Sequence, residues 1–297
     1  MSATSQSSGD AAAKAQAIGL MCAGLLSLSV NDAIAKWLMA DYEPLQIVFV
    51  RQMLALPMIL AVLLATAGPA GLRTASLGVH ALRGLFLVGG ACCFFLGIRH
   101  LPLAEATSLI FAAPIFITAL SVPLLRERVG WRRWSAVLVG FLGVLIVVRP
   151  GFAAFQPEAL YVIAAAFLYA LIMISVRWIH AGERYWTMVF YFMLFTAIFS
   201  GLLVALVWRP LQLGDLPIFL AMAVAGTLGI TLMSQAFRFA PAAIVAPFDY
   251  TALIWASLWG WMFWSEFPDA WTYAGAAVIA ASGIYILLRE TRLGRAH

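Results

Sequence analysis

Apolar runs of about twenty residues, parted by short joins rich in Pro, Gly and charge, recur along the whole chain. Crossing a bilayer takes roughly 20 helical residues. Ten runs meet or approach that length: 16–39, 45–66, 76–98, 103–125, 133–149, 158–179, 186–208, 214–236, 242–264 and 270–288. The fifth, from Trp134 to Val148, is the shortest, and the joins at His100-Leu101-Pro102 and Phe239-Ala240-Pro241 are tight, so nine spans is the alternative count. Composition agrees with this pattern: 64% of residues are apolar and 10% charged, where a soluble domain carries about a quarter charged. The expected class is an all-α membrane protein. Residues 1–15, rich in Ser, Ala and Gly, are expected to form a disordered tail.

The pattern is also written twice. From Gly90 to about Leu138 the chain matches itself 139 positions later without a gap. Gly90 pairs with Gly229, Arg99 with Arg238, Pro102 with Pro241, Ala113 with Ala252 and Glu127 with Glu266. Arg, Pro and Glu at fixed spacing in so uncharged a sequence are a stronger signal than repeated Ala or Ile. Setting Lys36-Trp37 over Arg177-Trp178 carries a weaker match back to the first span, giving five spans per half. The expected units are residues 16–150 and 151–290, with 291–297 as a second tail.

Charge then sets orientation. With alternate joins assigned to alternate sides, thirteen Lys and Arg fall on the side of the two termini and four on the other, with Arg51 inside the second span. Cytoplasmic loops carry such an excess, so both termini are expected in the cytoplasm. Five spans per half is an odd number, so the second half inserts upside down relative to the first. Inverted halves around one midplane site are the architecture of alternating-access transporters.

Ionisable groups within spans each cost about 2.5–3.5 kcal/mol on insertion scales and demand a partner or a watery cavity. Asp32 and Arg51 lie at matching depth in the first two spans and are expected to form an ion pair, structural or gating. Lys36, one turn beyond Asp32, is expected to snorkel to the interface. Asp249 follows Pro247 in Ala246-Pro247-Phe248-Asp249-Tyr250; proline removes a backbone donor, and such a segment must face protein or water. Its carboxylate is read either as a site for a substrate ammonium or a proton, or as a partner of Arg238 or Arg177. Tyr169, Tyr250 and Trp255, with Ser234 as a polar neighbour, suit a small, partly apolar solute or an organic cation.

Other chemistry is not signalled. There is no phosphate-binding glycine loop followed by Lys and Ser/Thr, and the four His and three Cys lack metal-ligand spacing. No cofactor, metal, nucleic acid or catalytic role is expected. The expected partners are a small solute and the lipid bilayer, with proton coupling and a monomer or dimer both open.

An acid follows the fourth span of each half, Glu127 in Leu125-Arg126-Glu127-Arg128 and Glu266 in Trp264-Ser265-Glu266. With the joins Leu101-Pro102-Leu103-Ala104-Glu105-Ala106 and Ala240-Pro241-Ala242-Ala243, and Gly140-Phe141-Leu142-Gly143-Val144 in the fifth span, the chain resembles the EamA-type drug/metabolite transporters. The resemblance implies a central cavity lined by spans one, three, four, six, eight and nine, with five and ten set aside. The chain is also similar to bacterial inner-membrane exporters of aromatic and other neutral amino acids. The expectation is thus a multi-pass inner-membrane secondary transporter exporting such amino acids or related metabolites. The alternatives are a multidrug or organic-cation effluxer, a metabolite importer of the same fold, and a membrane-embedded enzyme.

Overall fold

The computed structural model describes residues 2–126, 130–149, 156–240 and 242–293. Twelve α-helices and no strand occur among them: α1 (Ser2–Leu38), α2 (Pro44–Ala67), α3 (Leu77–His100), α4 (Leu103–Ile110), α5 (Ala113–Leu125), α6 (Trp131–Val148), α7 (Ala159–Ser175), α8 (Tyr185–Val204), α9 (Leu216–Phe239), α10 (Ala242–Val245), α11 (Ala252–Trp264) and α12 (Ala270–Leu293). Two spans are broken. The fourth parts between α4 and α5 at Phe111-Ala112, because Pro114 has no N–H to return to Ile110. The ninth passes through a 3-10 stretch, Ala246–Thr251, around Pro247. Counting each broken span once leaves ten helical stretches, in the order the apolar runs predict. Seven of these among the described residues are long and apolar enough to cross a membrane, with Trp134–Val148 as a shorter apolar helix.

The first helix differs from expectation. It runs from Ser2, through residues read as a disordered tail. Ala11-Ala12-Ala13-Lys14-Ala15-Gln16-Ala17 is a run of strong helix formers that extends the first turn of the span.

Small residues let the helices approach closely. In the antiparallel α1–α9 pair, Ser27 Oγ donates to the Ala225 carbonyl at 2.8 Å. A Cβ on Gly24 would stand 3.0 Å from the Gly229 carbonyl oxygen, and one on Gly229 would stand 2.9 Å from that of Gly24. The antiparallel α6–α12 pair repeats this with Gly143 and Gly275, at 3.0 and 2.8 Å. In α3–α7, Gly89 and Gly97 face Leu168 and Val162. Helix association in lipid rests on such contacts rather than on water exclusion. Backbone carbonyls cannot rotate aside as a side chain can. Gly143→Val is therefore expected to lower stability by about 1–3 kcal/mol, the usual cost of overpacking. Gly78→Val, with nothing within 4 Å of the new Cβ, is the control. Thermal midpoints in detergent measure both.

Each end of the bundle is tied by polar joins. At one end Tyr42 Oη donates to Asp215 Oδ2 at 2.6 Å, Gln46 exchanges two hydrogen bonds with the Arg209 backbone at 2.7 and 2.9 Å, and Arg209 meets Glu43 at 2.6 Å. Nearby, Arg149 at the end of α6 meets Asp269 at 2.7 Å, and Asp269 caps α12 through Thr272. At the other end the 68–76 and 176–184 joins meet. Thr74 Oγ1 donates to Glu183 Oε1, which also lies 2.8 Å from His80 Nε2, and the His180 N–H donates to Ser76 Oγ at 2.9 Å.

Glu183 makes the second tie sensitive to acid. Burial pushes its carboxyl up, but hydrogen bonds with Thr74, His80 and Ser76 outweigh burial and hold it below the usual carboxylate range. A carboxyl so depressed stabilises the fold above its unfolded value, and that contribution disappears as pH falls through the folded value. The thermal midpoint is expected to drop on acidification below the usual carboxylate range. Glu183→Gln is expected to start lower at neutral pH and to drop less.

Candidate functional site

A cavity of about 950 Å³ occupies the middle of the bundle. Its wall draws on α1, α2, α3, α4, α5, α7, α8, α9, the Ala246–Thr251 stretch, α11 and α12. Among the described residues, the fifth span, α6, gives none of the lining. The resemblance set span ten aside as well and did not name spans two and seven among the lining, yet all three contribute. Gln52 and Arg51 come from α2, Tyr185 and Phe192 from α8, and Gly283 and Ile284 from α12. The tenth span reaches the wall because Gly283 has no side chain: a Cβ there would overlap the Tyr250 hydroxyl.

Six of the seven residues singled out from the sequence lie on this wall: Asp32, Arg51, Tyr169, Ser234, Asp249 and Tyr250. Trp255 is not on the lining. It belongs to α11, which packs on α1 and α4, and its indole Nε1 is buried with no hydrogen-bond partner.

The break in the ninth span presents the acid. Asp249 stands in the 3-10 stretch with Oδ1 buried and without a hydrogen-bond partner. Its charge bears on the hydroxyls of both Tyr169 and Tyr250. The Tyr250 ring meets Phe111 edge-on at 4.8 Å between centroids, so the two helix breaks touch. Ser234 donates to the Ile230 carbonyl at 2.7 Å and is hydrogen-bonded to the Tyr185 hydroxyl. Arg238, one of the partners considered for Asp249, instead donates to Gln235 at 3.4 Å.

Asp32 and Arg51 do not form the direct ion pair expected of them. Asn31 Nδ2 donates to Asp32 Oδ1 at 3.0 Å, and Arg51 Nη1 donates to Asn31 Oδ1 at 3.4 Å. The charges are joined through an amide. Asn31 and Asp32 are neighbours about 100° apart on α1, so one residue, not both, can face α2 squarely. Gly226 of α9 makes room for the amide, since a Cβ there would stand 3.0 Å from Asn31 Oδ1.

Lys36 does not reach the interface. Expected to snorkel outward, it is buried, 8% exposed. Its ammonium meets Glu266 Oε1 at 2.5 Å, donates to the Leu101 carbonyl at 2.8 Å and sits 5.2 Å from the Trp264 ring centroid. Glu266 Oε2 also accepts the Leu103 N–H at 3.1 Å, capping α4 from across the bundle. Glu127, the matching acid of the first half, lies outside the described residues.

Arg83 is one of the thirteen Lys and Arg assigned to the side of the termini, and the sequence raised no other expectation of it. It lines the cavity, seven residues into α3 and 8% exposed. The rule that flagged Asp32 and Arg51, an ionisable residue within an apolar run, would have found it.

The model of the EamA-like transporter family matches this chain twice, over residues 15–149 and 156–289. The chain belongs to that family. The S-adenosylmethionine uptake transporter of Rickettsia bellii is 30% identical over 93% of this chain and 94% of its own length. The pseudopaline exporter of Pseudomonas aeruginosa is 30% identical over 93% and 97%. The riboflavin transporter of Vibrio cholerae is 29% identical over 94% and 95%. A solved crystal structure shares the fold, with a TM-score of 0.60 across 96% of this chain and 99% of that one at 21% identity. This EamA-family protein is accordingly a multi-pass membrane transporter.

Proposed function

We propose that this transporter moves small amphipathic solutes bearing an ammonium group, aromatic or other neutral amino acids and related metabolites, out of the cell by alternating access. The observation that carries the reading is Asp249: a carboxylate oxygen without a partner, at a helix break, on the wall of a largely apolar cavity beside two tyrosines. A buried unpaired carboxylate is costly, and a solute cation or a proton is what would complete it. Relatives named for uptake and for export stand at similar identity, so direction rests on the amino-acid exporter likeness of the sequence.

Alternating access needs two exchangeable halves, here 16–150 and 151–290 in inverted orientation. Several features support that symmetry. Phe111 and Tyr250, 139 positions apart, touch each other. Arg126 and Ser265, also 139 apart, end α5 and α11 in the same left-handed conformation, φ 55° and ψ 30°. The α1–α9 pairing is mirrored by α3–α7, and α6 packs antiparallel on its counterpart α12. With the arginine bias, both termini are cytoplasmic in an inner membrane, and the 39–43, 205–215 and 265–269 joins face outward.

Reconstituted protein assayed with aromatic and neutral amino acids tests this. Asp249→Asn is expected to weaken solute affinity at least about tenfold, some 1.4 kcal/mol. If the carboxylate carries the coupling proton, the variant also has a flat pH profile. Unchanged affinity and pH dependence in Asp249→Asn would remove Asp249 from the site.

A further inference from the structure

Resting on the transport reading above and sharpening its substrate class, we propose that Arg83 is the cavity's carboxylate receptor, so that the solute is a zwitterion held at both charges. Arg83 is held six residues past the start of α3, roughly 9 Å along the helix. Its guanidinium lies 4.8 Å from the centroid of the Phe192 ring on α8, and both residues face the cavity. Stacking on an aromatic face fixes the guanidinium plane and leaves its edges for hydrogen bonding.

Those edges are unfilled. Nε and Nη1 are both buried and have no hydrogen-bond partner. A carboxylate docks on arginine through Nη2 together with either Nη1 or Nε, so each docking edge contains one of the unmet donors. A guanidinium removed from water without such partners is a large cost, and a planar anion from the cavity repays it. Arg51 is less available: its Nη1 already faces Asn31, so Nε is its one unmet buried donor where Arg83 has two.

The protein's own acid does not fill the role. Glu183 acts on Arg83 only through its charge; its Oε1 is held by Thr74 and His80, and no Arg83–Glu183 contact within ion-pair range occurs among the described residues. Asp249 supplies the complementary unpaired group on the same wall. The rest of the lining is largely apolar, mostly Ala, Ile, Leu, Met and Phe, which suits the apolar body of an amino-acid-like solute.

The test compares each acid with the amine left by removing its carboxylate: L-tryptophan with tryptamine, L-phenylalanine with phenethylamine, and S-adenosylmethionine with its decarboxylated form. Binding is read by thermal shift and calorimetry, transport in liposomes. In wild type, the acid of at least one pair is expected to bind at least about tenfold tighter than its amine. Arg83→Gln should erase that preference while leaving amine affinity within about twofold, and Arg83→Lys should keep part of it. Glu183→Gln should keep all of it. Amines binding as well as acids in wild type would overturn the proposal without any variant. So would an equal loss for both members in Arg83→Gln, which would mark a structural role. Either result leaves the transport reading standing, whereas no saturable binding or accumulation of any member would remove both.

Discussion

Glu266→Gln is expected to reduce transport by an order of magnitude or more while leaving solute affinity near wild type. The carboxylate stands outside the cavity lining, so its loss does not touch the solute. It does strand Lys36. The pair is largely buried, with side-chain exposures of 6% and 22%, and Glu266 is the anion that neutralises the ammonium. Removing one partner of a buried pair commonly costs about 3–5 kcal/mol, because the other charge is left in a medium that cannot solvate it. Geometry makes the pair more than local. Lys36 belongs to α1, Glu266 follows α11, and the same carboxylate holds the first N–H of α4. One acid therefore ties the first, fourth and ninth spans at the end that faces outward in the proposed topology. A transporter that opens on that side must break this tie and remake it in each cycle. Its loss should bias the population toward the outward-open form, read as faster reaction of a cysteine placed at Leu103 with a membrane-impermeant thiol reagent. Wild-type transport and unchanged labelling in Glu266→Gln would remove the tie from the cycle.

Span positions were legible because lipid imposes one length and one polarity on every helix that crosses it. The 139-residue offset was legible because Arg, Pro and Glu are rare enough here to register. The proposed pair of repeats rests on that offset, and the Phe111–Tyr250 contact and the matching conformations of Arg126 and Ser265 support it. Asp249 was legible from its proline-broken segment. What could not be read was partner choice across long separations. Lys36 finds Glu266 230 positions away, and nothing local distinguishes that from an interfacial anchor. Trp255 is three residues beyond the lining residue Ala252 on the same helix, yet its indole is off the wall, packed where α11 meets α1 and α4. Asn31 was overshadowed by the charge beside it, although its amide makes both connections.

That amide supports the last prediction. Asn31→Ala should cost as much transport as Arg51→Gln, and combining the two should add little. Asn31 alone faces Asp32 with its donor and Arg51 with its acceptor. Without it, two ionised groups in the membrane interior lose their link together, and Arg51 Nε is already buried and unpartnered. Residues acting as one hydrogen-bonded unit show coupling of about 0.5–3 kcal/mol in double-mutant cycles, well beyond the near-additivity of separate sites. Gly226→Ala provides a test that leaves every polar group in place. Its new methyl would stand 3.0 Å from Asn31 Oδ1, so the amide has to turn away, and a partial version of the Asn31→Ala loss should follow. Exchanging the charges, Asp32→Arg with Arg51→Asp, would restore function only where a flipped amide can serve both groups; a direct ion pair would need no Asn31 at all. Full recovery of the charge exchange in an Asn31→Ala background would therefore show that the two charges meet directly, and additive losses in the double variant would show that the amide and Arg51 act apart.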